Sequence, residues 1–115
     1  MINRSEIWDV ILNPTRGAEM KKSRPCVVIS NDKVGRLPLR VIVPITKWHD
    51  SYESAIWMVK LEPNSANGLT ETSAVDTFQI RSVSVKRFVN RRGVVSAHEL
   101  SDIVSAVGIV IDISI

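Results

Sequence analysis

Apolar positions in this chain come in short runs rather than long stripes. Only near the end does their spacing stretch to helical intervals. The runs fall in Glu6–Leu12, Pro25–Ser30, Leu39–Ile45, Ala55–Leu61, Ser73–Arg81 and Asn90–Val95. They are rich in Val, Ile and aromatic residues, as half-buried strands are. Alternation along Ser73–Arg81 puts Val75, Thr77, Gln79 and Arg81 on one side, and Ala74, Asp76, Phe78 and Ile80 on the other. Asn13-Pro14, Asn31-Asp32, Gly35, Pro38, Pro63-Asn64 and Asn67-Gly68 break the runs apart. Val83–Phe88 fits a short helical turn. Ser96-Ala97-His98-Glu99 then has the form of a capping box, and Leu100, Ile103, Val104, Val107 and Ile111 follow at helical spacing. The pattern predicts a helix over 97–111, weakened by Gly108. Five or six short strands and one late helix predict a mainly β fold: a small, strongly bent barrel capped by a C-terminal helix.

Length and composition narrow this reading. The 115 residues predict a single domain, 1–115, with one modest core. An apolar fraction of 44% excludes a disordered chain. The net charge of +3 is a mild lean toward anionic partners, which composition alone does not specify. The one cysteine, Cys26, excludes an intrachain disulfide and reads as a buried, inert thiol. His49, His98 and Cys26 make no metal-ligand cluster, so neither a metal nor a cofactor is expected. The N-terminus lacks the apolar region of a signal peptide. The stretch Ile103–Ile115 contains Asp112 and falls short of the about 20 residues that span a bilayer. A soluble, cytoplasmic protein without a membrane partner is expected.

The chemistry gathers in residues 12–30. A polar, basic loop over 13–24 holds Arg16, Gly17, Glu19, Lys21, Lys22, Ser23 and Arg24, then ends abruptly in Pro25 and the apolar run Cys26–Ile29. Loops this long in compact domains are often functional. Pro25 fixes its own φ and biases Arg24 toward extended geometry, so stiff backbone aims a guanidinium suited to phosphate. Thr46 ends the next strand, and antiparallel pairing would bring Arg24 and Thr46 together. A second polar loop, Lys47–Ser54, offers Trp48, His49 and Tyr52. From spacing alone, a solvated basic loop on an ordinary barrel explains the loop residues equally well, and a strand-terminal hydroxyl bonding nearby backbone explains Thr46 better.

A set of ordered pieces resolves that ambiguity. Glu6-Ile7-Trp8, Leu12-Asn13-Pro14-Thr15-Arg16-Gly17, Glu19, Arg24-Pro25-Cys26-Val27-Val28-Ile29-Ser30, Pro44-Ile45-Thr46 and Gln79-Ile80-Arg81 span nearly the whole chain. In that order they resemble the MazF/PemK family of type II toxins, small ribonucleases. The resemblance implies an SH3-like barrel, a homodimer with single-stranded RNA in a groove between subunits, and a separate antitoxin whose acidic, flexible tail occupies that groove. It implies metal-independent cleavage of single-stranded mRNA at a short sequence, leaving a 2′,3′-cyclic phosphate and a 5′-hydroxyl. The chemistry falls to the Arg of Arg-Pro, Arg24, and the Thr of Pro-Ile-Thr, Thr46. With a pKa above about 12, Arg24 is a poor base and is assigned to the phosphorane charge. Thr46 is assigned to a hydrogen bond with the phosphate.

The base is less settled. Some family members carry an acid directly before the Gln of Gln-Ile-Arg, where this chain has Phe78. Glu19, which matches an acidic position of the family's loop, is the first candidate, and Asp76, assigned to the strand face of Phe78, is the second. Arg16, Lys21 and Lys22 suit a salt-dependent grip on the RNA backbone. Trp48 suits base stacking, and Gln79 and Arg81 suit base edges or phosphate. Two alternatives remain open at this level: a non-catalytic barrel binding nucleic acid or peptide, and a gyrase-directed toxin of the same fold.

Overall fold

The computed structural model describes residues 1–114. Seven strands, β1 (Glu6–Ile11), β2 (Ser23–Val28), β3 (Leu39–Lys47), β4 (Met58–Leu61), β5 (Ser73–Asp76), β6 (Arg81–Ser84) and β7 (Phe88–Val94), precede one helix, α1 (Ala97–Val110). The strands run in the order β4-β5-β3-β2-β1-β7, and β6 also pairs with β3. Every pairing is antiparallel. The sheet bends like a barrel, with β4 and β7 as the ends of the pairing path.

β3 is the hub. It is nine residues long and carries neighbours on both edges. Along one edge the chain from Ser73 to Ser84 runs its whole length, as β5 against Ile45–Lys47 and β6 against Leu39–Ile42. Along the other edge β2 pairs only through Cys26–Pro44, Val27–Val43 and Val28–Ile42. β2 meanwhile stays paired with β1 as far as Ser23. The two strands therefore part company just beyond Pro44, and Pro25, with no N–H to donate, lies at the parting.

The sheet is buried on both faces. Ile7, Val27, Val43, Ile45, Leu61 and Val75 pack with Ile103 and Val107 of α1. Val10, Leu12, Cys26, Val28, Ile42 and Val83 form a second cluster under Ile2, Trp8, Met20 and Phe88. Burial pushes the Cys26 thiol up to about 12, with the Asp9 carboxylate adding to the effect. α1 begins at the expected capping box. Ser96 Oγ accepts from the Glu99 N–H at 3.1 Å, and Glu99 Oε1 accepts from the Ser96 N–H at 2.8 Å.

Three expectations need correction. The long fifth strand stops at Asp76, where side chains compete for the backbone. Asp76 Oδ1 accepts from the Phe78 N–H at 3.1 Å, and the Thr77 hydroxyl donates to Trp57 O at 2.6 Å. The chain then makes a 3₁₀ turn over Thr77–Gln79 before resuming as β6. Asp76 is consequently buried while Phe78 is 66% exposed, so the two do not share a face. The fourth strand is also shorter than expected. Residues 55–57 follow a 3₁₀ turn over Asp50–Ser54, and Trp57 stands partly exposed, edge-on to Phe78 at 6.3 Å. The helical turn expected over Val83–Phe88 shrinks to Val85–Arg87 between two strands.

The turn between β4 and β5 is tied down from within. Fully buried Asn67 accepts from the Leu69 N–H at 3.0 Å and donates to Glu62 O at 2.9 Å. The turn lies tight on β7, where a Cβ built on Gly93 would fall 2.1 Å from Ala66 O. We expect Gly93→Ala to destabilise the fold by about 1–3 kcal/mol, the usual scale of overpacking. Urea unfolding followed by tryptophan fluorescence will measure it, and an unchanged midpoint would contradict the tight seat.

Candidate active site

The parting of β2 from β3 opens a cleft of about 280 Å³. One wall is Lys22, Ser23, Arg24 and Pro25, and the other is Ile45, Thr46 and Lys47. Arg24 on β2 and Thr46 on β3 line one and the same cleft. The juxtaposition expected from strand polarity is thus present. Thr70, Glu71 and Arg92 line the cleft as well.

Arg24 is half-buried, and its Nε donates to Lys21 O at a long 3.4 Å. No carboxylate pairs with it among the described residues. Lys22 adopts φ 67°, in the left-handed region, and is held there by the Leu12 N–H bonding to Lys22 O at 2.8 Å. Arg92 is less free, because its Nε donates to Asp9 Oδ1 at 2.8 Å. The free positive charge of the cleft therefore comes mainly from Lys22, Arg24 and Lys47.

The other acidic and amide candidates lie elsewhere. Glu19 lines a neighbouring cavity of about 390 Å³ with Leu12, Pro44, Phe78, Gln79 and Arg81. Its carboxylate accepts from the Arg16 N–H at 2.6 Å and braces the loop's own turn. Gln79 binds loop backbone on both sides of its amide, at Ala18 O (3.1 Å) and the Met20 N–H (3.2 Å). Arg81 donates to Leu12 O at 3.1 Å. Arg16 and Lys21 are exposed on the loop. Trp48 sits in neither cavity. It packs edge-on against Tyr52 at 5.7 Å and carries the Lys60 ammonium 4.9 Å from its ring.

Asp76 is only 8% exposed and caps the Thr77–Gln79 turn. Burial raises its pKa, against the lowering effect of hydrogen bonds from the Phe78 and Gln79 backbone. It holds backbone and does not reach either cavity lining. Glu71, by contrast, was not singled out from the sequence. It sits among turn residues with no motif around it, and only the bend of the 62–72 segment toward the cleft reveals it. Groups of three or more His, Cys, Asp or Glu side chains able to hold a metal do not occur among the described residues.

The PemK-like, MazF-like toxins of type II toxin-antitoxin systems match residues 3–111 of this chain. The chain belongs to that toxin family. Over 98% of both chains the toxin is 32% identical to endoribonuclease MazF9 of Mycobacterium tuberculosis. It is 33% identical to endoribonuclease PemK of Escherichia coli, over 74% of this chain and 62% of that one. Its fold matches the crystal structure of MazF from Deinococcus radiodurans with a TM-score of 0.81, at 19% identity and 97% coverage of each chain. It also matches a mycobacterial endoribonuclease in complex with its cognate antitoxin, with a TM-score of 0.78 at 16% identity over 100% and 99% of the two chains. None of the toxin's helices in the described residues is long and apolar enough to cross a membrane.

Burial of Asp76 has a signed consequence. Its pKa is higher folded than unfolded, so the folded state holds the proton more tightly. The stability tied to this proton is complete below the ordinary carboxylate value and is lost as pH rises through the folded value. Asp76→Asn keeps an acceptor for the Phe78 N–H and cannot ionise. Its stability relative to the native toxin should therefore rise between about pH 3.5 and pH 7. Paired urea titrations at the two pH values will show this, and a parallel shift of both proteins would refute it.

Proposed function

We propose that this toxin is an endoribonuclease that cleaves single-stranded RNA in the cleft between β2 and β3. The supporting observation is that Arg24 and Thr46 line that one cleft, with Lys22 and Lys47 beside them. The named activities of its relatives point the same way. In the reaction a ribose 2′-hydroxyl attacks the adjacent phosphorus, and the bond from phosphorus to the 5′-oxygen breaks. The products are a 2′,3′-cyclic phosphate and a 5′-hydroxyl. Arg24 neutralises charge growing on the phosphorane, and the Thr46 hydroxyl donates to a non-bridging oxygen. The leaving 5′-oxygen takes its proton from Arg24 or from water. No step requires a metal.

Three carboxylates compete for the 2′-proton. Glu71 lines the cleft itself, Glu19 lines the cavity next door, and Asp76 is spent on a cap. We assign proton abstraction to Glu71, with Glu19 bracing the loop. Arg16, Lys21 and Lys22 grip the RNA backbone. By the same reading the toxin works in the cytoplasm as a homodimer. An antitoxin with an acidic segment mimics the phosphates and blocks the basic cleft.

Pure toxin incubated with a mixed-sequence RNA in EDTA should cut it, and end-group mapping should find 2′,3′-cyclic phosphates. RNA bound but intact would favour a non-catalytic barrel instead. Arg24→Ala should abolish cleavage with the fold preserved, and Arg24→Lys should stay poor because it keeps the charge and loses the fork. Single-turnover rates against pH separate the bases. Glu71→Gln should lose about 10²–10⁴-fold together with the acid limb, the range of a general base. If Glu19→Gln loses that limb and Glu71→Gln keeps it, the assignment moves to the loop.

A further inference from the structure

The loop between β1 and β2 is anchored firmly at its base. The Leu12 N–H bonds to Lys22 O, and Arg81 and Arg87 donate to the carbonyls of Leu12, Ile11 and Asn13. Farther out, the bonds of residues 14–17 are local, among them Thr15 to Asn13 and the Arg16–Glu19 turn. Among the described residues, the hydrogen bonds reaching the outer loop from a distant element are the two made by Gln79. Its amide reads one donor and one acceptor, as a neighbouring strand would, across 59 and 61 residues of sequence. The Met20 side chain packs alongside on the Val10–Leu12–Cys26 cluster. Gln79 is itself fixed, as the last residue of the 3₁₀ turn capped by buried Asp76.

We infer that Gln79 is a positioning residue, a latch that holds the Ala18–Met20 segment down and so sets the path by which Lys22 and Arg24 enter the cleft. The sequence had suggested a direct contact of this amide with RNA bases. The geometry assigns both ends of the amide to the toxin's own backbone instead. The latch itself is a statement about the loop. Its catalytic consequence rests on the cleavage reading above.

The two claims separate in one set of measurements. Gln79→Met keeps the side chain's length and removes both hydrogen bonds. Hydrogen exchange at the Met20 amide should accelerate by roughly tenfold to a hundredfold, the scale of two ordinary hydrogen bonds. Trypsin should cut faster after Arg16 and Lys21. Gln79→Glu supplies a signature that loss of packing cannot imitate. A protonated carboxyl donates to Ala18 O and accepts from the Met20 N–H, whereas a carboxylate faces Ala18 O with no donor. The carboxylate still accepts from the Met20 N–H but repels Ala18 O, so Met20 protection in Gln79→Glu should fall below wild type at neutral pH and rise toward it as pH falls through the carboxyl range at about 4.3. Protection unchanged in Gln79→Met, or independent of pH in Gln79→Glu, overturns the latch. In cleavage assays Gln79→Met should lower kcat at least tenfold with KM little changed. A loosened loop with wild-type kcat overturns the positioning role, and so does a loss confined to KM with altered cut-site preference. A wild-type toxin that leaves RNA intact marks failure of the cleavage reading, while the exchange data still decide the latch.

Discussion

Everything about the site depends on where the hydrogen-bonded ladder between β2 and β3 stops. β2 is committed to β1 as far as Ser23, whereas β3 is committed on its far edge to β5 and β6. A barrel this small bends strongly, and two neighbours following different partners diverge. Pro25, unable to donate, sits just beyond the last rung at Cys26–Pro44. The gap exposes strand ends without disturbing the core, since Ile45 and Val27 stay packed with α1. The cleft thus arises from ordinary strand pairing and needs no special loop.

The basic residues divide into two groups with different work. Arg40, Arg81 and Arg87 give their donors to main-chain carbonyls. Arg91 and Arg92 give theirs to Glu6 and Asp9. Arg40, Arg81 and Arg87 thus act as multi-toothed braces on strand ends and loop backbone. Of the other basic residues, Arg16, Lys21, Lys22, Arg24 and Lys47 lie at the cleft or on the loop leading to it, whereas Lys33, Arg36 and Lys86 lie elsewhere on the surface. A net charge of +3 therefore understates the local field, because much of the charge elsewhere is compensated or committed.

Some of this was legible in the residues. Helix α1 declared itself through Ser96 and Glu99, because a capping box is local chemistry. The meeting of Arg24 and Thr46 followed from strand polarity. Pro44 at a ladder terminus followed from a missing donor. The break after Asp76 did not follow, because alternation in 73–81 fits a strand until Asp76 and Thr77 turn their side chains on the backbone. The bonds of Gln79 to the outer loop did not follow either, since its partners lie about sixty positions away and leave no local mark. Glu71 was missed because a carboxylate in a polar turn becomes a candidate only when the turn's position is known.

Cys26 occupies the final rung before the strands separate, fully buried and with its ionisation pushed far from neutral pH. A thiol reagent needs a thiolate within reach, so the folded molecule offers it nothing. Modification has to wait for the cover of Trp8, Met20 and Phe88 over that face of the sheet to open. The labelling rate of one natural sulfur therefore counts how often the core beneath the Arg24 strand opens to solvent.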